Sequence, residues 1–242
     1  MSIASNLTEV RDRIAESAQR AGRRASDITL VAVSKTFGAD RVREAWDAGQ
    51  RDFGENKVQE GLLKIAETAD IPAKWHLIGH LQSNKARKAA GPFACVQSLD
   101  SVDLLRKLDD AASTRPAGSG PLEVLVQVDF AGEATKFGAP PDEAERIVRA
   151  AADARHVTLA GLMLLPPWSD DPDKTRPWFA RLREFRDSLV QKGVPAASLR
   201  HLSMGMSHDF EVAIEEGSTI VRVGTAIFGA RRAFQLAATE SQ

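Results

Sequence analysis

The segment HLSMGMSHDFEVAIEEGSTIVRVGT, His201–Thr225, decides the fold. An apolar run ends in small residues, LSMGMS (Leu202–Ser207). A helical pattern follows over Ser207–Glu216, and a Gly-Ser turn then leads into the β-branched run Thr219–Gly224. A strand, a helix and a second strand this close together call for parallel pairing, because a crossover returns the chain in the same direction. The same rhythm extends back toward the N-terminus. After an amphipathic opening with Leu7, Val10, Ile14 and Ala18 at helical spacing, strands are expected at Thr29–Lys35, Arg51–Gly54, Lys74–Gly79, Cys95–Ser98, Leu122–Asp129, Thr158–Leu164, Leu199–Ser203 and Thr219–Gly224. Helical patterns separate them, at Asp40–Ala48, Val58–Ala69, Asn84–Ala90, Val102–Ser113, Pro141–Asp153, Thr175–Gln191 and Ser207–Glu216.

Eight such repeats in 242 residues fit an α/β fold of the (β/α)8 TIM-barrel type better than an open sheet. The turn after the first strand reads SKTFGAD and lacks the Gly-x-Gly-x-x-Gly of a dinucleotide site. The loop Thr114–Pro121 (TRPAGSGP) is the best linker, but the rhythm continues through it, so one domain over residues 1–242 is expected.

Lys and Arg number 32 against 33 Asp and Glu, a net charge of -1, which draws the chain to neither nucleic acid nor anionic membrane. The basic run QSNKARK, Gln82–Lys88, has no interleaved aromatics and reads as the solvated start of a helix rather than an RNA site. The lone Cys95, in the context FACV, reads as a small buried hydrophobe and fits a reducing compartment. The opening MSIASNLTEVRDRIAES has no signal-peptide core and no apolar run approaches ~18 residues, so a cytoplasmic location is expected.

In a barrel of this kind the chemistry gathers at the C-terminal ends of the strands. The first strand is expected to end at Lys35, on the face shared by Val31 and Val33, which points its amine into the barrel mouth. A partly desolvated lysine there is nucleophilic toward carbonyls, the requirement for a Schiff base. On spacing alone, a lysine that simply reaches solvent is an equal alternative. The last two strands decide between them, since Ser203, Gly224 and Thr225 place hydroxyls and glycine where barrels hold phosphate. Arg222, between Val221 and Val223, needs a partner for its charge: a carboxylate on a neighbouring strand, or a ligand acceptor such as a heteroaromatic nitrogen. Lysine, phosphate cradle and arginine together describe a pyridoxal phosphate site. An arginine facing the ring nitrogen disfavours its protonation and weakens the group as an electron sink.

The segments LVAVSKTFGAD, DFGENKVQE, WHLIGHLQSNKARK, EATKFG, GLMLLPP and the long run from His201 to Arg231 together resemble the pyridoxal phosphate homeostasis protein family, which is similar to the N-terminal barrel of alanine racemase, the fold-type III pyridoxal phosphate architecture. The resemblance implies that Lys35 carries the cofactor as an internal aldimine, that Ser203, Gly224 and Thr225 belong to the phosphate cradle, and that Arg222 faces the pyridine nitrogen. It also implies that Asn56, Met204 and Gly205 line the pocket. Four residues depart from the commoner pattern: Lys57 in FGENKVQE, Phe37 and Gly38 after the lysine, and Trp168 in PPWSDD.

Racemisation by two bases needs a proton-transfer group opposite the lysine, which alanine racemase supplies as a tyrosine with the help of a further β domain. This sequence has no tyrosine and is expected to end soon after the eighth strand. His201, His208 and Asp209, near the expected phosphate loops, are the candidates to replace it. The expected role is therefore to bind and carry pyridoxal phosphate in vitamin B6 and amino-acid homeostasis, as a monomer that passes the group to apo-enzymes. A racemase-like enzyme is the alternative within that chemistry. An aldolase-like barrel, with Lys35 attacking a sugar phosphate directly, is the alternative outside it. His76 and His80 straddle a strand and its turn, without Cys-x-x-Cys, so no metal is assigned, and no Gly-x-Ser-x-Gly elbow suggests a hydrolase.

Overall fold

The computed structural model describes residues 2–116, 118–132 and 137–229. Most of the EATKFG motif and the segment from residue 230 onward lie outside them. Eight parallel strands close into a barrel in chain order: β1 (Thr29–Val33), β2 (Asp52–Glu55), β3 (Lys74–Leu77), β4 (Cys95–Leu99), β5 (Leu122–Val128), β6 (Val157–Leu164), β7 (His201–Met206) and β8 (Ile220–Val223). The barrel closes where β8 pairs with β1. Around it lie α1 (Ile3–Arg20), α2 (Ala39–Asp47), α3 (Val58–Glu67), α4 (Ala86–Ala90), α5 (Val102–Ala112), α6 (Pro141–Ala150), α7 (Arg176–Gln191), α8 (Phe210–Glu215) and α9 (Thr225–Phe228).

Strand alternation sorts the apolar residues into two cores. Val31, Cys95, Leu125, Ala160, Met163 and Ile220 fill the barrel interior. Their neighbours Ala32, Val96, Val124, Leu162 and Val221 face outward to the helices. Cys95 is buried, and that burial pushes its thiol up, so it behaves as the apolar side chain its context suggests. The amphipathic opening is α1, whose Leu7, Val10, Ile14 and Ala18 are buried. Asn6 Nδ2 donates to the Ile227 carbonyl at 2.8 Å, tying α1 to α9 beside the barrel seam. The start of the basic run Gln82–Lys88 forms a short 3-10 turn that leads into α4. No helix among the described residues is long and apolar enough to cross a membrane.

All eight expected strands are present, with two displaced ends that matter. β1 stops at Val33, two residues before Lys35. β7 runs to Met206, past the expected end at Ser203, and its pairing with β8 shifts register between Ser203 and Met206. The cause is Gly205 at φ 93°, a conformation that disfavours a side chain. A Cβ there would lie 2.6 Å from the Ala213 Cβ and 2.8 Å from the Phe210 Cα, so the glycine also lets α8 pack onto the strand.

Candidate functional site

A cavity of about 690 Å³ opens at the C-terminal mouth of the barrel, within the ordinary range for small-ligand sites. Of the residues expected there, Lys35, Asn56, Arg222, Gly224 and Thr225 line it together.

Lys35 leaves the strand from a fixed point. The Ser34 amide donates to the Gly54 carbonyl at 3.1 Å. The Ser34 hydroxyl donates to Glu55 Oε1 at 2.6 Å, and Lys64 Nζ from α3 donates to the Ser34 carbonyl at 2.6 Å. On the other side, Thr36 has φ 70°, rare for a non-glycine residue. Lys35 is thus held between a clamped and a strained neighbour, partly buried beside Val33 in the cavity wall. Phe37 stacks on Phe228 with centroids 5.3 Å apart, so the residue that departs from the family pattern packs the same wall. Asn56 follows β2, and Gly79 after β3 comes so near it that a Cβ would lie 2.2 Å from the Asn56 carbonyl oxygen.

Arg222 is 3% exposed. Its Nη1 donates to Ser203 Oγ at 2.6 Å and its Nη2 to the Leu164 carbonyl at 2.9 Å. The expected alternative, a carboxylate partner on a neighbouring strand, is not found: among the described residues no carboxylate lies in ion-pair contact with it. Burial pushes the guanidinium down to about 10, and the nearby Asp209 carboxylate opposes that shift. It remains a cation at neutral pH.

The extended β7 changes which residues face the cavity. Ser203 is fully buried behind the wall, with its hydroxyl committed to Arg222 and, as donor, to Gln97 Oε1 at 2.6 Å. Met204 points outward into the helix-facing core, and Gly205 forms the bulge. None of these three lines the cavity. The hydroxyl at the strand end is that of Ser207, which accepts from the Gly224 amide at 3.1 Å and the Ala226 amide at 3.4 Å. The sequence signal for Ser207 is the second serine of LSMGMS, which plain alternation places on the face of Ser203 but which lies beyond the expected strand end at Ser203.

The three residues considered as replacement bases separate. His201 sits at the start of β7, the opposite end of the barrel from the mouth, with Nδ1 3.3 Å from Thr219 Oγ1 and its pKa lowered by burial. The expectation that it lies near the phosphate loops is thus corrected. Asp209 is buried and accepts the Met206 amide at 2.7 Å, and burial raises its carboxyl. Only His208 lines the cavity, with Nε2 3.0 Å from the Asp170 carbonyl and its ring 5.0 Å from Trp168. Trp168 is 70% exposed at the rim, and Lys57 pairs with Glu60 at 3.0 Å. Sequence reading does not single out His80 for the cavity: it lines the rim, stacks on Phe137 at 3.7 Å and lies 3.3 Å from Asp100. Among the described residues no group of three His, Cys, Asp or Glu is placed to hold a metal.

The family model for the alanine racemase N-terminal domain matches residues 6–232. Among sequence relatives, the pyridoxal phosphate homeostasis protein of Pseudomonas aeruginosa is 46% identical over 229 residues, covering 95% of this chain and 96% of that one. The chain belongs to the pyridoxal phosphate homeostasis protein family. The family member of Aquifex aeolicus is 40% identical over 232 residues, spanning 96% of this chain and 100% of that one. Among solved structures, PipY of Synechococcus elongatus with pyridoxal phosphate bound aligns with a TM-score of 0.81 at 38% identity, over 94% of this chain and 100% of that one. Alanine racemase of Streptomyces coelicolor shares the fold of this homeostasis-family barrel, with a TM-score of 0.71 at 20% identity over 96% of this chain and 59% of the racemase.

Proposed function

We propose that the cavity binds pyridoxal phosphate, with Lys35 as its covalent attachment point, and that the protein holds and delivers the group rather than turning over a substrate. The observation that carries this reading is the convergence on one cavity of an amine, a buried cation that no carboxylate among the described residues contacts, and a hydroxyl–amide cluster. When bound, pyridoxal phosphate supplies an aldehyde that joins reversibly to an amine. Lys35 provides that amine from a backbone fixed by Ser34. Arg222 is a permanent donor, so it matches an unprotonated ring nitrogen and opposes its protonation. Ser207, Gly224 and Thr225 would hold the phosphate, and Asn56 contributes a polar wall. Ser203 acts through Arg222 instead of on the phosphate.

The carrier reading is supported by membership of a family named for pyridoxal phosphate homeostasis and by the weakened electron-sink role that a facing arginine imposes. It includes a monomeric, cytoplasmic, single-domain protein that meets PLP-dependent apo-enzymes transiently. The test is to load the purified protein with pyridoxal phosphate, mix it with an apo-enzyme, and follow recovery of that enzyme's activity against free pyridoxal phosphate at the same concentration. Delivery from the loaded protein supports the reading. Loaded protein that racemises an amino acid in a Lys35-dependent way overturns it.

A further inference from the structure

A file of hydrogen bonds runs through the barrel from the cavity wall toward the opposite end. Arg222 Nη1 on β8 donates to Ser203 Oγ on β7 at 2.6 Å, and Ser203 Oγ donates to Gln97 Oε1 on β4 at 2.6 Å. Gln97 Nε2 lies 3.1 Å from His76 Nδ1 on β3, and His76 Nε2 lies 2.9 Å from Asp52 Oδ1, the first residue of β2. Arg222, Ser203, Gln97 and His76 are all at most 3% exposed, while the Asp52 side chain is 21% exposed.

One proton arrangement satisfies every link. A serine hydroxyl has a single proton, and donating it to Gln97 leaves only lone pairs toward Arg222. That fixes the Gln97 carbonyl toward Ser203 and its amide toward His76 Nδ1, which must then be an acceptor. Neutral His76 therefore carries its proton on Nε2 and donates it to Asp52. With Gln97 reversed, the Ser203 proton loses its acceptor, and His76 must become a second buried cation to satisfy both of its neighbours.

We propose that Gln97 and His76 are positioning residues for Arg222, transmitting the Asp52 carboxylate to the guanidinium through Ser203. The arrangement resolves a conflict at the cavity wall. A buried cation needs an anion, yet a carboxylate in direct contact would occupy the N–H groups that a cavity ligand needs. Here Asp209, the carboxylate near Arg222, acts through space without an ion-pair contact, and Asp52 adds a second anion at the end of four hydrogen bonds, so polarisation along the file supplements the through-space charge without occupying the cavity-side N–H groups. Only the consequence for ligand affinity rests on the proposed binding reading, since the file itself is a property of the unloaded chain.

The test is side-chain ¹⁵N NMR of the unloaded protein, followed by pyridoxal phosphate titration. In the unsubstituted protein His76 is expected as the Nε2–H tautomer, with the two Nη resonances of Arg222 resolved because both amino groups are held. Gln97→Leu should release the His76 tautomer, merge the Arg222 resonances and weaken pyridoxal phosphate binding roughly tenfold to a hundredfold. Gln97→Glu keeps the acceptor for Ser203 and should restore the resolved Arg222 resonances, with His76 protonated on both nitrogens between two carboxylates. If Gln97→Leu does not fold, Asp52→Asn, at the partly exposed end, decides the matter by the same readouts. Unchanged Arg222 resonances and unchanged affinity in the folded variant overturn the relay. Responsive resonances in a protein that binds no pyridoxal phosphate uphold the relay and overturn the binding reading instead.

Discussion

Lys64 Nζ on α3 lies 2.5 Å from Glu55 Oε1 on β2, an ion pair almost wholly buried between helix and barrel wall. Gly61, one turn earlier on α3, lets the helix approach: a Cβ there would lie 2.5 Å from the Phe93 ring and 3.5 Å from the Glu55 Cβ. Among the described residues Glu55 Oε2 has no hydrogen-bond partner, and burial raises the Glu55 carboxyl despite the contacts with Lys64 and Ser34. The pair therefore costs desolvation and recovers it chiefly through Lys64.

Removing the cation alone should be severe. Lys64→Met is expected to destabilise the fold by about 3–5 kcal/mol, because it strands a buried carboxylate. Lys64→Met with Glu55→Gln should recover most of that loss. Urea unfolding of the two variants measures both values, and a double variant as unstable as the single one would contradict the account.

Ser203 and Ser207 should fail differently, although they stand in one short segment. Ser207→Ala removes a hydroxyl from the cavity and should weaken binding of pyridoxal phosphate and of inorganic phosphate alike, roughly tenfold. Ser203→Ala removes the contact to Arg222 and should weaken pyridoxal phosphate binding with little effect on inorganic phosphate. Competition titrations with the two ligands separate these outcomes, and identical profiles would refute the assignment of Ser207 to the phosphate.

Asp109 on α5 accepts backbone N–H groups from Arg155, His156 and Val157 at 2.7–3.2 Å, fastening the helix to the start of β6. Burial pushes its carboxyl up, but the three amides outweigh it and hold the pKa below the ordinary value. With the folded pKa depressed, the stabilisation is complete above the unfolded value of about 3.9 and is lost as the pH falls through the lower folded one. Asp109→Ala should cost about 1–2 kcal/mol at pH 7, and the difference from the unsubstituted protein should shrink below about pH 4. Denaturant midpoints at the two pH values check this.

The barrel and the placement of Lys35 at its mouth were legible because strand alternation and short crossovers follow from local sequence, and Lys35 lines the cavity beside Val33 although the strand itself stops there. What local pattern could not supply was the bulge at Gly205, since a positive φ in a strand looks like any other glycine in a sequence. The strand runs on past Ser203, so Ser207 supplies the cavity hydroxyl while Ser203 is buried behind the wall. Nor could it supply the file from Arg222 to Asp52, whose members stand on five strands and meet only after closure. Gln97 and His76 read as ordinary strand residues until their neighbours are known.

The most direct measurement of the central claim is peptide mass spectrometry after the protein is incubated with pyridoxal phosphate and reduced with borohydride. The account predicts the pyridoxyl mass on Lys35, and its loss from that peptide when Arg222→Ala is treated at a limiting concentration. Label absent from Lys35, or spread evenly over the exposed lysines, would contradict it.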